Sequence, residues 1–153
     1  METLHSHNSW HYLAVLFFLL ITILFPQNLT VGLYAQGRLS PYEASLLEHI
    51  NHYRAVKGLK PLSIDGTLQG LAEDHSRSMD RKKYLSHDAF HERFIKSRRP
   101  HCIENVGWNS PTPEDQLRAW KTSEGHNINL LNGNIKSAGI SKIGAFVTFF
   151  ACD

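Results

Sequence analysis

Three short segments hold the side chains that could do chemistry: Ser86-His87, Cys102-Ile103-Glu104-Asn105, and the run from Trp120 to Asn127 with Ser123, Glu124 and His126. Their spacing reads as separate loops rather than as the middle of an apolar strand, so core packing does not account for them. Two imidazoles with one or two carboxylates suit zinc or another divalent metal with a position left for water, His87 and His126 being the candidate ligands. The same set suits acid–base work in which each carboxylate fixes a histidine's tautomer. Ser86 and Ser123 each neighbour a candidate histidine, but adjacent residues rarely adopt a nucleophile–base geometry. Spacing alone leaves open whether the segments converge.

Other conspicuous residues have ordinary readings. Ten of the 153 residues are histidine, and three of these (His5, His7, His11) fall in the first dozen positions. His49, His52, His91 and His101 read as surface or packing residues, and His75, on an apolar helical stripe, as a hydrogen-bonded core histidine. Asn105 is expected to brace a loop through side-chain to backbone bonds, and Trp108 and Trp120 to pack. The segment 77–99 carries Arg77, Arg81, Lys82, Lys83, Arg93, Lys96, Arg98 and Arg99 against Asp80, Asp88 and Glu92. It reads as a solvated face, the alternative being attraction to anionic lipid head groups or wall polymers.

The elements that must position the candidate site follow from local signals. Ser40-Pro41-Tyr42-Glu43 is a capping box with proline at the first helical position. Leu46, Leu47, Ile50 and Tyr53 then recur at helical spacing until Gly58. A second helix opens at Asp65 and carries Leu68, Leu71, Ala72, His75 and Met79 on one stripe, with basic residues in its last turn. A short third helix is expected over 91–97, and a fourth capped by Thr112 and ending near Ser123. After Gly125 the sequence reads as a polar turn. Segments 103–108, 137–141 and 143–152 read as strands, the last β-branched and aromatic, with Gly139 and Gly144 flanking a hairpin. Helices followed by strands predict an α+β, three-layer α-β-α sandwich.

Composition sets the outer limits. With 42% apolar and 20% charged residues the chain is an ordinary globular one. A net charge of +2 lacks the basic excess of a nucleic-acid binder. Residues 13–25 (LAVLFFLLITILF) would span about 20 Å as a helix, short of the roughly 30 Å bilayer core. That length suits the apolar region of a signal peptide, although no Lys or Arg precedes it. Residues 1–35 are therefore expected to be a leader, cleaved after Ala35 or retained as a membrane anchor, and residues 36–153 the exported domain. The sequon Asn28-Leu29-Thr30 falls within the leader. In an exported chain the pair Cys102 and Cys152 reads as a disulfide. It would close a loop of about fifty residues and contribute about 3–4 kcal/mol.

The ordered set of motifs resembles the CAP superfamily, which comprises cysteine-rich secretory proteins, antigen 5, pathogenesis-related proteins and their bacterial SCP-domain relatives. The matching residues are Asn51-x-x-Arg54, Leu59-x-x-Leu62, Leu68, Leu71-Ala72, His75, Ser86-His87, Arg93, Glu104-Asn105, Trp120-x-x-Ser123-x-Gly125-His126, and a closing Gly-Ile with an aromatic strand. The Trp-x-x-Ser-x-Gly-His form is similar to the compact bacterial branch. The resemblance implies an α-β-α sandwich with a cavity lined by two His and two Glu, which in some members hold a divalent metal. Carried over, the cavity residues are His87, Glu104 and His126. The second glutamate's position is occupied by Ser123, with Glu124 one residue on and turned by about 100° on a helix. The resemblance thus implies a secreted binding or interaction domain for a metal, lipid, cell-wall or protein partner. The alternative is a metal- or His/Glu-dependent hydrolase with Glu104 as base, and a purely structural, disulfide-stapled domain is the third reading.

Overall fold

The computed structural model describes residues 39–153; the leader, with its alternatives of cleavage and anchoring, lies outside the described residues. Among the described residues no helix is long and apolar enough to cross a membrane. The elements in order are α1 (Pro41–Val56), β1 (Ser63–Ile64), α2 (Gly66–Lys82), α3 (Phe90–Ser97), β2 (Cys102–Trp108), α4 (Pro113–Thr122), α5 (Glu124–Leu130), β3 (Ser137–Ile143) and β4 (Phe146–Cys152). The four strands form one sheet in the order β1-β3-β4-β2. β1 runs parallel to β3, and the other pairs are antiparallel.

The helix starts follow the local chemistry. Ser40 and Glu43 close the capping box on α1, Asp65 accepts from the Thr67 and Leu68 amides at the head of α2, and Thr112 caps α4. β4 is buried at every position and sends its side chains alternately into two helical layers. Val147, Phe149 and Ala151 pack with Leu46 and Ile50 of α1, Trp120 of α4 and Leu130 of α5. Phe150 and Cys152 pack with Leu68 and Ala72 of α2 and with Phe90 and Phe94 of α3. This is the expected three-layer α-β-α sandwich. The disulfide between Cys102 and Cys152 joins facing positions of β2 and β4, with the Cα atoms 4.1 Å apart.

β2 decides where the site lies. Glu104 is opposite Phe150 and Asn105 opposite Phe149, so Glu104 faces the α2–α3 layer and Asn105 the α4–α5 layer. β2 is also an edge strand. The bonds from the Asn109 amide to the Ala145 carbonyl (2.8 Å) and from the Asp153 amide to the His101 carbonyl (3.3 Å) fix the ladder's phase. Backbone groups of the even-numbered residues therefore point away from β4 along the free edge. Two of those carbonyls are taken by side chains: Glu104 O by Asn129 Nδ2 at 3.1 Å and Val106 O by Trp120 Nε1 at 2.9 Å.

Several expectations need correction. Glu104 and Asn105 lie in the middle of β2, within the expected strand over 103–108, so this chemistry-bearing segment is not a separate loop. The expected polar turn after Gly125 is helix α5, whose Leu130 is fully buried. Arg54, itself buried, donates from Nη1 to the carbonyls of Leu130 (2.7 Å) and Asn132 (3.0 Å) at the end of α5, so tertiary contacts override a weak local signal. Gly139 does not flank a hairpin. It lies within β3, where a Cβ would come within 2.1 Å of the Leu68 carbonyl, so its role is close approach of α2 to the sheet. The hairpin turn is at Gly144, with φ +56°. Trp108 is 59% exposed at the end of β2 rather than packed. The short strand β1 had no expectation of its own.

Candidate functional site

Glu104 is at the centre of a buried ionic cluster. From the α2–α3 layer, Arg93 donates Nε to Oε2 (2.7 Å) and Nη2 to Oε1 (2.8 Å), a bidentate pair. His87 places Nδ1 2.9 Å from Oε1, and His75 Nε2 lies 3.7 Å from the same oxygen. Burial opposes ionisation of Glu104, but the hydrogen bonds from His87 and Arg93 and the charge of Arg93 outweigh it and hold the carboxyl below its usual range. The carboxylate therefore accepts the Nδ1 proton of His87, a contact that in the neutral form of the ring leaves the lone pair at Nε2.

The loop between α2 and α3 presents His87. Lys83, in the left-handed region with φ 53°, ends α2. His75 Nε2 meets the Ser86 carbonyl at 2.8 Å and donates to it, and Arg93 Nη1 donates to the Asp88 carbonyl at 2.7 Å. Arg93 thus holds both the carboxylate and the loop that carries the histidine. His75 is buried, as a core histidine should be. Burial, more than its charged neighbours, pushes its pKa down and favours the neutral ring.

His126 comes from the opposite layer, in the first turn of α5. Asn105 Nδ2 donates to the His126 carbonyl (3.0 Å), and Asn129 Nδ2 donates to Asn105 Oδ1 (2.8 Å) as well as to the Glu104 carbonyl. Asn105 braces a helix against its strand, where a loop brace was expected. Burial, with the nearby His87 second, lowers the His126 pKa.

The two layers meet at the free edge of β2 in an open cleft of about 470 Å³, lined by His87, Glu104, Ser123, Gly125, His126, Ile128 and Asn129. His87, Glu104 and His126 are thus brought together, the first with 52% of its side chain exposed and the second buried behind it. Glu124 is exposed and is not among the lining residues. Ser123, which joins α4 to α5, takes its place as the one-residue offset required.

Among the described residues, no group of three or more His, Cys, Asp and Glu is arranged to hold a metal ion. The chemistry of the set agrees. Both Glu104 oxygens are committed to Arg93 and His87, so the carboxylate orients an imidazole from behind instead of ligating. His87 and His126, the two imidazoles of the set, line the same cleft.

Sequence reasoning missed two participants. Arg93 belongs both to the basic run and to the family-matching residues, but nothing local assigns it a role at the site, where it is buried on Glu104. Its spacing from Ser97, one helical turn on and likewise buried, puts it on the inner face of α3. Asn129 carries no motif and enters through tertiary structure alone. The rest of the basic run is largely compensated: Arg77 pairs with Glu73, Lys82 with Asp88, Lys83 with Asp80 and Arg99 with Asp65, which favours the solvated-face reading.

Comparison with known proteins places the chain. A model of the cysteine-rich secretory protein family (CAP) matches residues 47–152. The uncharacterized protein YkwD of Bacillus subtilis (strain 168) is 34% identical over 117 residues, covering 71% of this chain and 45% of YkwD. The chain therefore spans less than half the length of that relative. Three solved structures share the fold. An extracellular protein containing a SCP domain from Bacillus anthracis str. Ames has a TM-score of 0.68 at 24% identity, over 76% of this chain and 44% of its own. A cysteine-rich secretory protein from Staphylococcus aureus subsp. aureus Mu50 has a TM-score of 0.67 at 24% identity, over 72% and 38%. An outer surface protein from Borrelia burgdorferi has a TM-score of 0.68 at 18% identity, over 77% and 98%. On the family match over most of the described domain and the identity to YkwD, the chain belongs to the CAP family of cysteine-rich secretory proteins.

Proposed function

We propose that this CAP domain acts outside the cell as a binding domain, and that the cleft between His87 and His126 receives its ligand. The observation that carries this reading is the state of Glu104: its charge is matched by a bidentate arginine and its oxygens are occupied, so it anchors His87 and is not free as a general base. Among the described residues no serine or cysteine is hydrogen-bonded to the ring of either cleft histidine, as a nucleophile–base pair would require. The buried disulfide suits an oxidising compartment, and the similar Bacillus anthracis and Borrelia proteins are an extracellular and an outer surface protein. Lipid, wall and protein partners all remain within this reading, and so does anchoring through the leader.

A divalent metal such as zinc, when held by His87 and His126, would supply Lewis acidity and a docking point for an oxygen of the ligand. Calorimetry on metal-stripped protein tests the pair. About one zinc per chain is expected, with binding weakened by an order of magnitude or more in His87→Ala or His126→Ala; unchanged binding in both variants removes the pair from the reading.

One observation favours hydrolysis as a second reading. A buried carboxylate on Nδ1 of an exposed imidazole is the base-orienting half of a catalytic triad. Cleavage of a broad peptide library by the protein but not by Glu104→Gln would support it, and equal cleavage by both would eliminate it.

A further inference from the structure

The hydrogen bonds that build the cleft also fix which way its polar atoms point. Both amide protons of Asn129 are spent, one on the Glu104 carbonyl (3.1 Å) and one on Asn105 Oδ1 (2.8 Å). A flipped amide would lose both bonds, so the oxygen is locked as an acceptor. Among the described residues the one buried side-chain polar atom without a partner is Gln116 Oε1. Asn129 Oδ1, which has no donor among the described residues, is therefore reached by solvent, and Asn129 lines the cleft. His87 is oriented in the same sense: its Nδ1 faces Glu104, so the imidazole in its neutral form presents Nε2 as an acceptor.

The cleft therefore offers two fixed acceptors on opposite walls, one from each helical layer. Its buried carboxylate brings no uncompensated charge, because Arg93 matches it at 2.7 and 2.8 Å. A phosphate or carboxylate would meet these two acceptors where it needs donors, the donors of the lining being the Ser123 hydroxyl, the His126 ring and the first amides of α5. Ser123 contributes a hydroxyl that donates or accepts, and Ile128, 61% exposed, gives the lining an apolar patch. Two acceptors, one adaptable hydroxyl and an aliphatic surface match a molecule with hydroxyl donors on its rim and C–H groups on its face.

We propose that the cleft is a subsite for a neutral, hydroxyl-rich ligand of the pyranose kind, whose hydroxyls donate to Asn129 Oδ1 and His87 Nε2 while its apolar face rests on Ile128. This rests on the reading of the cleft as a binding site and names the class of ligand it takes. An open cleft of about 470 Å³ holds one or two sugar rings and leaves a longer chain free to extend beyond it.

The test is a nitrogen–proton correlation spectrum of the metal-stripped full chain at pH 7.5, titrated separately with the trisaccharide of N-acetylglucosamine, inorganic phosphate and zinc. The saccharide is expected to shift signals of His87, Ser123, Ile128 and Asn129, and phosphate to leave them in place. Ile128→Ala removes apolar surface from an exposed position without touching the core, and should weaken the saccharide about fivefold while leaving zinc binding unchanged. Zinc shifts at His87 and His126 without any saccharide response would overturn the polyol assignment and keep the binding reading. Silence of the cleft toward all three probes would overturn both. A phosphate response stronger than the saccharide's, or a saccharide affinity indifferent to Ile128→Ala, would also sink the assignment.

Discussion

The two walls of the cleft do the same task with different chemistry. On the α2–α3 side a histidine is held by ions: buried Glu104 and its bidentate Arg93 hold half-exposed His87, with His75 beside them. On the α4–α5 side a histidine is held through its backbone by neutral amides, Asn105 and Asn129. The ionic wall fixes the ring of His87 itself, its tautomer and its lone pair. The amide wall fixes the helix that carries His126 and leaves the ring without a protein partner among the described residues. A buried ion pair is costly to break from one side because the remaining charge is stranded, whereas losing a neutral amide costs only its hydrogen bonds. Rigidity is therefore concentrated on one wall and adaptability on the other.

The largest effect should come from the ionic wall. Arg93→Met leaves Glu104 buried without its counter-ion and is expected to cost about 3–5 kcal/mol in denaturant unfolding. A cost under 1 kcal/mol would mean that the cluster is not a structural ionic core. Next is the staple between β2 and β4, two residues before Glu104 on the same strand. Replacing both Cys102 and Cys152 by Ser should cost about 3–4 kcal/mol, and a thiol assay on the denatured wild type should find no reactive thiol. Asn105→Ala, on the amide wall, should cost less, about 1–3 kcal/mol for two lost hydrogen bonds. If it equals or exceeds Arg93→Met, the contrast between the walls fails.

Acid should distinguish the walls more gently. His75 and His126 both have depressed pKa values in the folded chain, so the unfolded chain takes up protons first as pH falls below about 6.5. Stability is full above that value and declines below it. Glu104, depressed as well, adds a further loss below its ordinary range near pH 4. His75 is far more buried than His126, so His75→Gln should flatten the decline between about pH 6.5 and 5 more than His126→Gln does. Melting temperatures measured across that window decide it. The smallest effect is expected at Glu124→Gln, an exposed site outside the cleft. Its stability should change by less than about 0.5 kcal/mol and its zinc binding not at all; a clear loss of zinc binding would return Glu124 to the site.

Much of this was legible where the signal is local. Ser40 with Glu43, Asp65 and Thr112 announce three helices because caps are written within four residues of the helix they start. The apolar run ending at Cys152 marks the central strand for the same reason. His87, Glu104 and His126 were legible as residue types in an ordered motif, and the cleft is lined by all three. Their setting was not legible. Arg93 looks like its solvated neighbours until the register of β2 turns Glu104 toward it. Helix α5 has a glycine and two asparagines, and it is held by the burial of Leu130 and by Arg54 from seventy-six positions away in sequence. Asn129 acquires its role only once that helix lies along the strand edge.

The free edge of β2 has one more consequence. A solvent-facing edge strand is a template on which another chain can add a strand, and folded proteins need some device to refuse it. Here the Glu104 and Val106 carbonyls already accept from Asn129 and Trp120, so an incoming strand finds those acceptors occupied and two helices in its way. Asn129, which lines the cleft, and Trp120 behind it thereby also guard the domain against sheet-to-sheet self-association.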